Sequence, residues 1–255
     1  MINKEWVVTA AHCLYEVPKK NIDNNTYYLE KRNLNSIGVA IGFYNIKNEK
    51  ANGRTRITVN VNKMLIQEGF NYRNNYKKFG YFDLVSDIYN YPNTDIALLK
   101  ITYKDNFNYQ IISLTDKYNS TEPGNKVMML GWGKGWGDSM EKFFTLSDVL
   151  YEGTNTIYSN TQTKNNNIFH SITTINQPST FEGDSGGPLI TYYLGKWYVI
   201  GIASTNDANS NISYFTNLRL YFPWIKLITG VDVNQGTFTG NPPDWITPTP
   251  LSKRR

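Results

Sequence analysis

The stretch Gly183-Asp184-Ser185-Gly186-Gly187-Pro188-Leu189 holds a serine between glycines, directly after an aspartate. Glycines leave the backbone there free of Cβ clashes, so the amides of Gly183 and Ser185 can turn toward one point, where a carbonyl oxygen would sit. Taken alone, the run is either a tight turn between strands or the seat of a nucleophile. A serine hydroxyl attacks only when a base takes its proton and nearby donors stabilise the oxyanion that forms. The run supplies the hydroxyl and the donors, so a base must come from elsewhere in the chain.

The chain has 2 histidines. His12 lies in Trp6-Val7-Val8-Thr9-Ala10-Ala11-His12-Cys13, a stretch that by itself also reads as a buried core histidine. A carboxylate beside apolar strand residues stands in Asn93-Thr94-Asp95-Ile96-Ala97-Leu98-Leu99. Along the chain the order is His, Asp, Ser, one of the known orders for a base, its orienting carboxylate and a nucleophile. Gly131-Trp132-Gly133 falls between the second and third of these motifs. With the four stretches in this order, the chain resembles the chymotrypsin-like (trypsin-like) serine proteases.

The resemblance implies an all-β fold of two antiparallel Greek-key β-barrels, with the active site between them and a short C-terminal helix. It implies that Ser185 attacks a carbonyl, that His12 takes and returns the proton, and that Asp95 holds the imidazole tautomer. The amides of Gly183 and Ser185 would form the oxyanion hole. Asp184 matches the aspartate that pairs with a freed amino terminus and shapes that hole.

Specificity is read by matched position. Ser179, six residues before the nucleophile, stands where trypsin-type members carry an aspartate, so a preference for Arg or Lys is not expected. Thr180 and Ser204 match pocket and main-chain binding positions, and Ser204 is placed to hydrogen-bond the catalytic aspartate. Asn206 and Ser213 stand where open-pocket members have glycine. Thr205 replaces a flanking tryptophan, Phe181 replaces a common cysteine, and Ala203 stands where a glutamate-preferring member would carry histidine. The pocket expected is shallow and uncharged, suited to a small or medium apolar side chain.

At 255 residues and 40% hydrophobic content, the chain is large enough for one big domain or two small ones. Its 19 tyrosines suit β-rich architecture. No apolar run approaches the roughly 18 residues of a membrane span, and Met1-Ile2-Asn3-Lys4-Glu5-Trp6 shows no signal-peptide core. Cys13 is the single cysteine, so no disulfide forms within the chain, and a buried free thiol is expected. The net charge of +5 is dispersed, with Lys253-Arg254-Arg255 the only compact basic cluster, and no nucleic-acid partner is expected. His170, in Phe169-His170-Ser171 on what reads as a strand edge, lacks the further ligands a metal site needs.

The organisation expected is a first barrel over 1–112, a linker over 113–125, a second barrel with the helix over 126–229, and a Pro-rich tail over 230–255. Strands are read at Trp6–Thr9, Ile37–Tyr44, Arg56–Asn62, Asp95–Ile101, from Lys126 onward, at Lys196–Ser204 and at Ser213–Thr216. Polar stretches from Leu14 to Leu34 and from Thr154 to Asn167 read as loops. His12 and Asp95 lie 83 positions apart, which an insertion over 62–92 explains at small entropic cost. Tyr221 to Ile228 resembles the family's C-terminal helix, with Pro223 in its first turn. Eleven residues precede His12 where the family places a pair of strands and a processed amino terminus. The expectation is therefore a fragment or wrongly started sequence with an incomplete first barrel, the alternative being a first barrel that closes in some other way.

The functional expectation is a serine endopeptidase that needs no cofactor and no metal. It would act as a monomer on protein or peptide substrates, meet protein protease inhibitors, and work outside the cell without contact to membrane. Two rivals share the motifs: an inactive homologue that uses the double barrel as a binding module, and an esterase using the same triad.

Overall fold

Four strands rich in β-branched and aliphatic residues build the first sheet. Trp6–Thr9 (β1), Gly38–Ile41 (β2), Ile57–Ile66 (β3) and Ala97–Ile101 (β4) pair antiparallel in the order β1-β4-β3-β2. In β3, Val59 and Val61 are buried while Thr58 and Asn60 are exposed, the alternation of a strand with one face on a core. Both faces of β4 are covered. Ala97, Leu99 and Ile101 join Ala11, Leu14, Val59 and Val61 in the core of this sheet. Ile96 and Leu98 instead join Trp6, Ala10, Leu218 and Ile225 in a second cluster that reaches the rest of the molecule. Asp95, two residues before this strand, is thereby carried to the seam between the two halves.

This computed structural model describes residues 1–16, 30–42, 44–47, 50–51, 54–55, 57–68, 70, 94–102, 110–116, 121–134, 145–162, 168–173, 178–207, 212–238 and 240. Most of the insertion read over 62–92 and of the loop read after Leu14 lies outside them.

The second half comprises Ser113–Leu114 (β5), Lys126–Gly131 (β6), Tyr151–Gln162 (β7), Ile168–Thr173 (β8), Pro188–Tyr193 (β9), Lys196–Asp207 (β10) and Ile212–Asn217 (β11). The order is β9-β6-β7-β8-β11-β10, and β9 also pairs with β10, so six strands close on themselves. Closure leaves the barrel without open edges. Its interior is filled by Val127, Met129, Ile157, Ile172, Leu189, Ile200 and Phe215. β5 lies parallel to β10 at Tyr198 and Val199. The fold of the described residues is thus mostly β-sheet, a closed six-stranded barrel beside the four-stranded first sheet, with one short α-helix after the last barrel strand, as the resemblance implied.

Three local expectations change. The stretch read as a polar loop from Thr154 to Asn167 is strand β7 as far as Gln162. Gly153, Asn155 and Ile157 point inward at every second residue, and the buried Asn155 Nδ2 donates to the Pro178 carbonyl at 2.7 Å. A hydrogen-bonded Asn at an inward position hid the alternation. The helix, Leu218–Thr229 (α1), starts three residues earlier than read, because Asn217 caps it by accepting from the Arg219 amide at 3.1 Å. Pro223 therefore sits inside the helix, not in its first turn, where it has no N–H to give to an intrahelical bond. Gly230, left-handed at φ 70°, ends it. Beyond, the Asn234 and Phe238 amides donate to the Leu114 and Ile111 carbonyls, each at 3.0 Å, so this part of the tail is laid along β5.

His170 is the third change. β8 runs between β7 and β11, so the residue is inside the barrel wall and fully buried, not at an edge. Its Nδ1 lies 2.8 Å from Asn160 Oδ1, and Nε2 has no hydrogen bond of good geometry. Burial pushes its pKa down to about 4, the nearby Ile200 backbone only partly offsetting it. The unfolded chain holds this proton from about pH 6.5 downward and the folded chain only from about pH 4. Stability from this group is therefore complete above 6.5 and is lost as pH falls through that window, about 3 kcal/mol in all. Urea unfolding at about pH 7 and about pH 4 should show the native protein losing that much more than His170→Leu. Equal losses in the two proteins would remove His170 from the account of acid sensitivity.

Candidate active site

His12 sits in the 3-10 turn Ala11–Leu14, after β1. Ala10 and Ala11 are fully buried, Ala11 in the core of the first sheet and Ala10 in the cluster that reaches the second barrel. His12 Nδ1 faces Asp95 Oδ2 at 2.8 Å, and Asp95 Oδ1 accepts the His12 amide at 2.9 Å. One carboxylate thus fixes both the ring and the turn that carries it. Oδ2 also accepts from Ser204 Oγ at 2.6 Å. Ser204 reaches it because β10 is bulged: Ala203 opposes Phe215 and Thr205 opposes Tyr214, which turns the residue between them out of the regular alternation.

Asp95 is 4% exposed. Burial favours its neutral acid, but the His12 imidazole, the Ser204 hydroxyl and the His12 amide together hold the carboxyl below its ordinary range. For His12 burial disfavours the imidazolium, and Asp95 more than reverses this, with a smaller contribution from Cys13, so the pKa stands well above 6.5. Nε2 lies 3.7 Å from Cys13 Sγ. The thiol expected to be buried is free and half-buried, turned toward the imidazole.

Ser185 is exposed at the head of a turn shaped by Gly183 at φ 97° and Gly186 at φ 79°, a region open to glycine. The Gly186 amide donates to the Ala203 carbonyl and the Ala203 amide to the Gly187 carbonyl, both at 2.8 Å, which ties the turn to β10. On its other side Gly186 lies against the histidine segment. A Cβ there would overlap Thr9 Oγ1 and come 3.4 Å from Cys13 Sγ. Among the described residues no hydrogen bond joins His12 to Ser185, and the amides of Gly183 and Ser185 donate none.

Asp184 is buried beneath this turn, where Oδ1 accepts from the Gly133 amide at 2.8 Å and Oδ2 from the Phe181 amide at 2.9 Å. A Cβ on Gly131 or Gly133 would occupy the space of that carboxylate, which explains the glycines of the Gly131-Trp132-Gly133 motif. Leu146, 55% exposed, covers the Cα face of Gly183, a neighbour that no sequence motif marks.

The remaining site residues fall on two adjacent strands and one connecting segment. Ser204, Thr205 and Asn206 follow one another on β10, and Asn206 is the cross-strand partner of Ser213 on β11. Ser213 is fully buried and its Oγ has no hydrogen-bond partner. Thr180 is buried and Ser179 half-buried just before the turn that bears Ser185, while Phe181 is 45% exposed. Among the described residues no group of three or more His, Cys, Asp or Glu could hold a metal ion, and no helix is long and apolar enough to cross a membrane.

A family model described as Trypsin matches residues 1–225. Trypsin-1 of Astacus astacus is 25% identical over 236 residues, covering 88% of this chain and 84% of that protein. Vitamin K-dependent protein C of Oryctolagus cuniculus is 22% identical over 88% of this chain, which spans 44% of that protein's length. The CLIP domain-containing serine protease B4 of Anopheles gambiae is 22% identical over 89% of this chain and 60% of its own length. Among solved structures, a mutant of human heparin binding protein superposes with a TM-score of 0.63 at 19% identity, over 94% of this chain and 87% of that one.

Proposed function

Because the chain belongs to the trypsin family, we propose that it is a serine endopeptidase in which Ser185, His12 and Asp95 act as nucleophile, base and orienting carboxylate. The observation that carries this reading is the grip of Asp95 on His12 through both Nδ1 and the main-chain amide, beside the turn that bears Ser185. In the reaction, Nε2 takes the Ser185 proton as Oγ attacks the scissile carbonyl, then gives it to the leaving amine; water repeats the sequence to release the acyl group. Asp95 stays ionised and stabilises the imidazolium. The undedicated amides of Gly183 and Ser185 receive the oxyanion, each worth about 3 kcal/mol at the barrier.

Asp184 supports the hole through its hydrogen bonds to Gly133 and Phe181. Ser179, Thr180, Ser204, Thr205, Asn206 and Ser213 line the acyl-side pocket in this reading. With no acidic group among those six positions, a small or medium uncharged side chain is the preferred partner. Action as a monomer on extracellular protein substrates, without a cofactor, is part of the same proposal.

A second reading, a double barrel used for binding alone, draws on the contact of His12 Nε2 with Cys13 Sγ in place of Ser185. Parallel assays on a peptide and on a simple ester, each with an uncharged acyl side chain, test the proposal. Serine-dependent peptide cleavage is expected; ester cleavage without peptide cleavage contradicts the endopeptidase reading, and neither activity favours the binding module.

The pH dependence carries a sign. The base works only when neutral, and its pKa is raised, so kcat/KM should climb with pH to a plateau through a midpoint above 6.5. Initial rates from about pH 5 to about pH 9 measure it. A midpoint below the ordinary histidine value would mean that Asp95 does not hold the charged ring.

A further inference from the structure

Asp95 belongs to the first half of the chain, yet two of its hydrogen bonds come from the second. Besides Ser204, Thr216 Oγ1 on β11 donates to the Asp95 main-chain carbonyl at 3.0 Å. Both residues are almost wholly buried, Thr216 at 1% and Asp95 at 4% exposure. Thr216 stands in the closed barrel wall opposite Ile202, two residues from the bulge that presents Ser204. A carbonyl buried this deeply is costly to leave without a donor, and the hydroxyl that serves it reaches across from another sheet.

Resting on the protease reading above, we propose that Thr216 is a positioning residue: its hydroxyl pins the Asp95 backbone to the second barrel, so that the carboxylate meets the His12 ring at hydrogen-bond distance. Ser204 then fixes the carboxylate and Thr216 the peptide group that carries it. Without the second hold, the aspartate can turn about its own backbone and lengthen the contact with Nδ1. Among the described residues, Cys13 and Tyr221 are the other titratable groups that face this cluster. Cys13 lies at Nε2, and the Tyr221 hydroxyl on α1 is pushed up to about 12 by burial and by Asp95, so it stays neutral across the working range.

The test is an NMR titration of the His12 ring in the full chain, with fluorophosphonate labelling rates measured alongside. The chain has 2 histidines, and His170 titrates near pH 4, so the His12 signal is distinct. In Thr216→Val the His12 midpoint should fall toward 6.5, with labelling about tenfold slower. Thr216→Ser, which keeps the donor, should restore both to within about twofold. A His12 midpoint unchanged in Thr216→Val overturns the proposal, as does Thr216→Ser behaving like the valine variant. A purely structural role would lower the fraction folded without moving the midpoint. The protease reading is judged apart from this, by whether the native protein takes a Ser185-dependent label at all.

Discussion

Ser185→Ala is expected to cut kcat for peptide hydrolysis by about 10⁶, His12→Ala to cut it about as much, and the double variant to be no slower than either. The reason is chemical interdependence. An alcohol without its base attacks poorly at neutral pH, and a base without the alcohol has nothing to activate except water. Once one is gone, removing the other costs little. The activity left in all three should match, because the amides of Gly183 and Ser185 and the substrate pocket are untouched. Ser185 is exposed and makes no hydrogen bond among the described residues, so the alanine should fold as the parent does. Steady-state kinetics with circular dichroism on the three variants measure this. Losses that multiply in the double variant would mean two independent contributions and no shared proton.

Asp95→Asn is expected to lower kcat by about 10⁴ while keeping the fold. The carboxylate takes three donors: the His12 amide at Oδ1, and both Nδ1 of His12 and Ser204 Oγ at Oδ2. An amide keeps one oxygen, and the His12 main-chain N–H can hold it. The amide nitrogen then faces Nδ1, which must accept, so the ring proton moves to Nε2, the atom that has to be bare to receive the Ser185 proton. The negative charge that raises the His12 pKa is also lost, so the acid-side midpoint should fall below that of the native protein. The two effects separate in one experiment, since the plateau reports the tautomer and the midpoint reports the charge. An undiminished plateau would mean that Asp95 does not set the ring.

The motif residues stand out in the sequence because each lies in a short, rigid context. The glycines around Ser185 suit a left-handed turn and close packing, and the apolar run Asp95–Ile101 reads as a short strand. The double-barrel class followed from the resemblance those motifs carry. What escaped is held by long-range geometry. Thr216 lies 121 positions from Asp95, and nothing in its own stretch, Ser213-Tyr214-Phe215-Thr216, marks a hydroxyl that serves another sheet. The bulge that aims Ser204 is a feature of pairing with β11, invisible along one strand. The packing of Asp184 onto Gly131 and Gly133 joins stretches 51 positions apart. β7 was missed because its inward positions include Gly153 and Asn155, which alternation rules count as loop residues. The early start of α1 was missed because the Asn217 cap sits at the end of a strand, where a turn signal is read as strand termination.

The most direct test of the central claim is peptide mapping by mass spectrometry after a fluorophosphonate has reacted with the native chain at the pH of the activity plateau. The account predicts one phosphonyl adduct, on Ser185, formed at a rate that follows the titration of His12. An adduct on another residue, or a chain left unmodified while peptide hydrolysis proceeds, would contradict it.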